Sequence, residues 1–110
     1  MKKKLSKKKI STKKTIKKLK TVMGEYAGEI NKKNQPHGKG AYAFEYNAKY
    51  QGMFKNGSIH GKGTFTYSDG TKHIGEFKNN FANGKGTRYL KKGKVLKGIW
   101  KNGDLIKENK

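Results

Sequence analysis

Tyr50-Gln51-Gly52-Met53-Phe54-Lys55-Asn56-Gly57-Ser58-Ile59-His60-Gly61-Lys62-Gly63-Thr64-Phe65-Thr66-Tyr67 decides the fold. Residues 50, 52 and 54 share one face of an extended chain, because strand side chains alternate with period two. Residues 61, 63, 65 and 67 do the same, with Lys62, Thr64 and Thr66 turned the other way. Such alternation marks strands buried on one side. Asn56-Gly57 between them supplies the positive φ of a tight turn. The unit therefore reads strand, turn, strand, turn.

The unit recurs. Tyr26-Ala27-Gly28-Glu29-Ile30, Tyr50 to Phe54, His73-Ile74-Gly75-Glu76-Phe77 and Leu96-Lys97-Gly98-Ile99-Trp100 align, with steps of 24, 23 and 23 residues. A second series, His37-Gly38-Lys39-Gly40, His60-Gly61-Lys62-Gly63 and Asn83-Gly84-Lys85-Gly86, keeps steps of 23. The extra residue of the first repeat falls in the turn Lys32 to Pro36, where an insertion disturbs least. Asp69-Gly70, Lys92-Gly93 and Asn102-Gly103 mark further turns. A fixed period of this length identifies stacked repeats, each unable to bury its face alone. Glycines on the aromatic face leave shallow slots. Tyr42, Phe44, Tyr50, Phe54, Phe65, Tyr67, Phe77 and Trp100 can lie over them as one stack, while Tyr46 and Tyr89 fall outside it and are expected to be exposed.

The pattern Tyr-x-Gly-x-Phe-x-Asn-Gly-x-x-His-Gly-x-Gly-Thr-Phe resembles the MORN repeat (membrane occupation and recognition nexus). The second repeat follows it nearly throughout. The first has Ile30 for the aromatic; the third has His73 for Tyr, Asn80 for the turn glycine and Asn83 for His; the fourth stops after its first half. The resemblance implies an all-β, single-layer antiparallel β-hairpin solenoid. Its repeats span 26–49, 50–72 and 73–95, with a half repeat at 96–103 and a short polar tail. It also implies a scaffold or adaptor associated with acidic phospholipid and protein assembly.

A basic extension precedes the repeats. The chain of 110 residues carries 28 Lys+Arg against 7 Asp+Glu, a net +21. Residues 1–23 hold 11 of the lysines and no acid; residues 24–110 hold the rest, net +10. Residues 1–14 are too poor in apolar surface to fold alone. Residues 15–23 admit two readings. Ile16, Leu19 and Met23 have helical spacing, but Leu19 also falls one period before Tyr42. That favours a degenerate strand at 18–24, capping the open edge of the sheet.

Charge this dense draws the protein to polyanions. The residues expected to carry it are Lys2, Lys3, Lys4, Lys7, Lys8, Lys9, Lys13, Lys14, Lys17, Lys18 and Lys20 on the arm. On the body they are Lys62, Lys72, Lys78 and Lys85. Lysine is a point charge without arginine's planar fork, which suits attachment more than base reading. An acidic phospholipid surface or nucleic-acid phosphates fit, and a protein partner in a larger assembly is expected. A solvated tail is the bland alternative for the arm. The nucleic-acid reading makes the chain a structural component of a nucleoprotein complex. With no apolar run of ~20 residues and no signal-peptide core, the expected place is intracellular, either cytoplasmic and membrane-peripheral or nuclear.

Catalysis finds little support. Cysteine is absent, which excludes thiolate chemistry and disulfides. His37 and His60 occupy equivalent turns ~10 Å apart, too far to share one metal. His73 stands in a tyrosine slot and is expected to pack. Glu29 and Glu76 alternate with the aromatic face and are expected to form solvated ion pairs. Gly61-Lys62-Gly63 and Gly84-Lys85-Gly86 lack the strand–loop–helix context of a phosphate loop. No catalytic residue, cofactor, metal or small-molecule substrate is expected.

Overall fold

In the computed structural model the chain is described over residues 15–109. Among these described residues nine strands form one antiparallel sheet in sequence order. They are β1 (Thr15–Thr21), β2 (Gly24–Ile30), β3 (Pro36–Phe44), β4 (Lys49–Lys55), β5 (Ser58–Thr66), β6 (Lys72–Lys78), β7 (Phe81–Tyr89), β8 (Val95–Lys101) and β9 (Asp104–Glu108). The single-layer hairpin architecture expected from the repeats is the one found.

Register explains how one layer keeps a core. Gly28, Gly40, Gly52, Gly63, Gly75, Gly86 and Gly98 face one another in turn and make a glycine row across β2 to β8. Beside it runs the row Leu19, Tyr26, Tyr42, Tyr50, Phe65, His73, Arg88 and Leu96. The rings lie over the glycines. A methyl on Gly40 would sit 2.2 Å from the Tyr26 hydroxyl, and one on Gly63 2.1 Å from that of Tyr50. Phe54 and Phe77 meet Tyr50 edge-on at 5.1 and 5.2 Å. The core is thus Tyr26, Tyr42, Tyr50, Phe54, Ile59, Phe77, Ala82 and Trp100, a thin seam of rings against backbone. Tyr46 and Tyr89 are exposed.

The two ends of the sheet correct the sequence reading. Residues 15–21 are a strand, so the helical spacing of Ile16, Leu19 and Met23 does not decide. The strand begins before 18, and Gly24 belongs to β2. Leu19 packs against the core opposite Tyr26, which selects this register. At the other end residues 104–108 are not a polar tail. They form β9, with Leu105 opposite Trp100, and complete the fourth hairpin. Trp100 needs that cover: it is 3% exposed. The arm at residues 1–14 lies outside the described residues.

The two long edges of the sheet differ. One carries the turns Asn56-Gly57, Asn79-Asn80 and Asn102-Gly103, whose asparagines take positive φ. These turns are laddered by backbone bonds: Gly57 N–H to Pro36, Asn80 N–H to Ile59 and Gly103 N–H to Ala82. The other edge carries Val22-Met23, Glu45–Asn47, and the glycine turns at Gly70 and Gly93.

Candidate polyanion-binding face

Side chains that alternate with the aromatic seam stand on the second face of the sheet. One register row there is Lys18, Ala27, Ala41, Gln51, Thr64, Ile74, Thr87 and Lys97. Its middle members are short or neutral. Lysines flank them. Lys39, Lys62 and Lys85 stand on β3, β5 and β7, and Lys49 and Lys72 on β4 and β6. All five are exposed. Shallow hollows along this face share Ala27, Ala41 and Gln51 at one end and Lys62 in the middle, so they join into one trough.

Of the expected lysines, Lys18, Lys20, Lys62, Lys72 and Lys85 come together on this face. Lys78 is exposed at the far end of β6, opposite Phe81. Lys17 stands opposite Gly28 on the aromatic side. Lys2, Lys3, Lys4, Lys7, Lys8, Lys9, Lys13 and Lys14 lie outside the described residues. Lys39 and Lys49 belong to the same rows but were not among the expected site residues. The repeat period carried the signal, since Lys39 precedes Lys62 and Lys49 precedes Lys72 by 23 positions. Lys20 lies 3.8 Å from Glu25, both well exposed; such a pair contributes little.

The two repeat glutamates are not merely solvated ion partners. Glu29 accepts the Lys39 N–H at 2.8 Å, and Glu76 accepts the Lys85 N–H at 3.0 Å. The reason is local. β3 and β7 carry irregular register beside these residues, with Gly38 and Gly84 at φ 97° and 104°. The carboxylate fills the space a side chain on that glycine would take. The middle repeat has Met53 in the same place, with no such acceptor.

His73 is fully buried in the tyrosine slot, as expected. Tyr26 and Tyr50 donate their hydroxyls to the carbonyls of Glu29 and Met53, at 2.6 and 3.0 Å. Burial raises both phenols to about 12, helped at Tyr26 by the Glu29 charge. His73 cannot copy this bond, and its Nε2 has no partner. Its Nδ1 accepts from Arg88 Nε at 3.2 Å. Burial, then the Arg88 charge, pulls its pKa down to about 4. Arg88 stacks over Trp100 at 4.2 Å. The pair takes the place of an aromatic pair and is part of the core.

Other chemistry-bearing groups are also engaged. His37 Nδ1 accepts the Asn56 N–H at 3.0 Å. Among the described residues no group of three or more His, Asp or Glu gathers as metal ligands, and no helix is long and apolar enough to cross a membrane.

One surface feature was not foreseen. The β1–β2 turn presents Val22 and Met23 at 94% and 59% exposure, and Tyr46 in the next turn along the edge is 82% exposed. Thr21 Oγ1 holds the tip: it accepts the Met23 N–H at 3.1 Å, donates to the Gly24 carbonyl and meets the Tyr42 hydroxyl. Tyr46 takes a positive φ of 61°. Hairpin tips are ordinarily polar.

Residues 26–45, 50–72 and 73–95 match the family model of the MORN repeat, in the register derived above. No curated protein matches the chain. MORN repeats often serve as scaffold or adaptor modules for membranes or proteins, and the family is generally non-enzymatic. Three consecutive matches cover more than half of the sequence, and the glycine and tyrosine rows give them a physical basis: the chain belongs to the MORN repeat family.

Proposed function

We propose that the protein is a non-enzymatic scaffold that docks on an acidic phospholipid surface and holds a protein partner there. The observation that carries this reading is the braced apolar tip Val22-Met23, with Tyr46 in the next turn along the edge and Lys20 just before it on β1. Apolar tips enter the boundary between headgroups and acyl chains, and tyrosine favours that layer. Each lysine near an anionic surface adds ~1 kcal/mol. The arm contributes eight lysines in its first 14 residues.

The test is vesicle co-sedimentation of the full chain at physiological salt, on phosphatidylcholine alone and with phosphatidylserine added. Binding should require the anionic lipid. Replacing Val22-Met23 by Asn-Gly keeps turn chemistry and should weaken binding about tenfold, the effect of ~1.4 kcal/mol. Equal binding to both vesicles, or none, refutes the reading. The density of lysine in the arm favours a second reading, a nucleic-acid-binding component of a nucleoprotein complex. Displacement of the protein from anionic vesicles by RNA at equal charge would support it instead.

A further inference from the structure

The trough on the lysine face has a period, and the period names a ligand. Lys39, Lys62 and Lys85 lie on every second strand, so they repeat every ~9.6 Å. Lys49 and Lys72 form a second rail on the strands between. Lys49 is opposite Ala43, four residues along β3 from Lys39, and Lys72 stands four residues along β6 from Glu76, the partner of Lys62. Four residues of strand are roughly 13 Å. The floor between the rails is Ala27, Ala41, Gln51, Thr64, Ile74 and Thr87.

Three candidate occupants meet this geometry differently. A flat bilayer meets lysine tips at any spacing, so a ~9.6 Å period selects nothing in it. A nucleic-acid duplex carries one charge per ~1.7 Å of axis, so a rail of ten-ångström spacing selects nothing in it. An α-helix is about 10–12 Å across with its side chains and advances ~10.5 Å in seven residues. Acids one heptad apart therefore keep step with Lys39, Lys62 and Lys85. In a heptad the e and g positions flank the a and d seam on its two sides. Small residues at a and d would rest on the floor, with room beside the exposed Gln51 and Ile74, and acids at e and g would face the two rails. Strand twist turns the rails gradually about the trough axis. The match accordingly spans the two repeats from Lys39 to Lys85, roughly three turns of helix or more.

We infer that this trough seats an acidic amphipathic α-helix of a partner protein, with carboxylates in heptad spacing on both flanks of a small-residue stripe. The inference rests on the scaffold reading above and supplies its partner. It uses a surface separate from the Val22-Met23 tip, so the two can fail independently.

The experiment uses the full chain and two labelled three-heptad peptides of one composition. One has Ala at a and d and Glu at e and g; the other has the glutamates moved to b and c. Anisotropy titration at physiological salt should give at least about tenfold tighter binding of the first. Thr64→Trp blocks the floor without changing charge and should abolish that preference. Lys62→Gln with Lys85→Gln should weaken the first peptide about tenfold and the second much less. Equal affinity for the two peptides overturns the inference, as does a preference that survives Thr64→Trp. Phosphatidylserine vesicles are tested alongside. Vesicle binding without peptide preference sinks the helix seat and leaves membrane docking intact. If single-stranded RNA displaces the patterned peptide and loses its own binding on Thr64→Trp, the trough is a nucleic-acid groove instead.

Discussion

His73→Tyr tests the account of the core at its one irregular point. In the first two repeats the slot holds Tyr26 opposite Tyr42 and Tyr50 opposite Phe65; in the third it holds His73 opposite Arg88. The native histidine leaves Nε2 buried without a partner, a cost of about 1–3 kcal/mol. A tyrosine there would reach the Glu76 carbonyl as its counterparts reach theirs, adding ~1 kcal/mol. It would also forfeit the Arg88 bond, so the single variant should lie within about 1 kcal/mol of the native protein at pH 7. The larger effect is on pH. The folded pKa of His73 is lowered to about 4 from 6.5, so the unfolded chain takes the proton first as pH falls. Stability is therefore full above the unfolded value, declines through the window between the two, and levels off below the folded one. Between pH 7 and pH 5 the loss amounts to about 2 kcal/mol. Urea unfolding at those two values, on native protein and variant, measures it. The variant's decline should be smaller by that amount. Adding Arg88→Phe should restore the aromatic pair, with a coupling energy of ~1 kcal/mol in the double-mutant cycle. An identical acid decline in His73→Tyr would refute the reasoning.

The same structure gives further expectations. Met53→Glu should supply the missing acceptor for the Lys62 N–H and raise stability by about 1 kcal/mol in urea unfolding. Gly63→Ala puts a methyl 2.1 Å from the Tyr50 hydroxyl and should cost about 3 kcal/mol or more. Gly70→Ala meets nothing within 4 Å and should cost only the ~1–2 kcal/mol of its left-handed backbone. The phenols of Tyr26 and Tyr50 are raised to about 12. The unfolded chain therefore releases protons first above the ordinary value near 10, and stability should fall by about 3 kcal/mol for the pair by pH 11, read by tyrosinate absorbance alongside unfolding. Compared with a chain lacking residues 1–14, one lacking residues 1–21 should lose ~1 kcal/mol from the partly buried Leu19 and associate through the bared edge of β2, visible by light scattering.

The fold was legible because one physical device repeats. A glycine opposite a glycine, with a tyrosine beside it, needs no long-range information beyond the period itself. The ends were less legible, since they break the device. β1 has Lys17 where a glycine of the row would stand, and β9 offers only Leu105 to the seam beside Trp100. A strand there is selected by the edge it covers, which local pattern underreports. Glu29 and Glu76 misled for a related reason. Alternation gives the face a residue belongs to, but not that Gly38 and Gly84 open a hole beside the carboxylate.

The candidate site asks for more than composition holds. A net charge of +21 favours encounter with anions, and it does not tell one lysine from another. Register sorts them: Lys17 goes to the aromatic side, Lys18 and Lys20 to the other, and Lys62 and Lys85 into a line with Lys39. Charge with no set spacing attracts any polyanion, whereas charges held ~10 Å apart across two strand spacings can discriminate by the ligand's own period. The repeat therefore does two jobs with one spacing. It buries tyrosines over glycines on one face, and on the other it sets Lys39, Lys62 and Lys85 at a regular spacing.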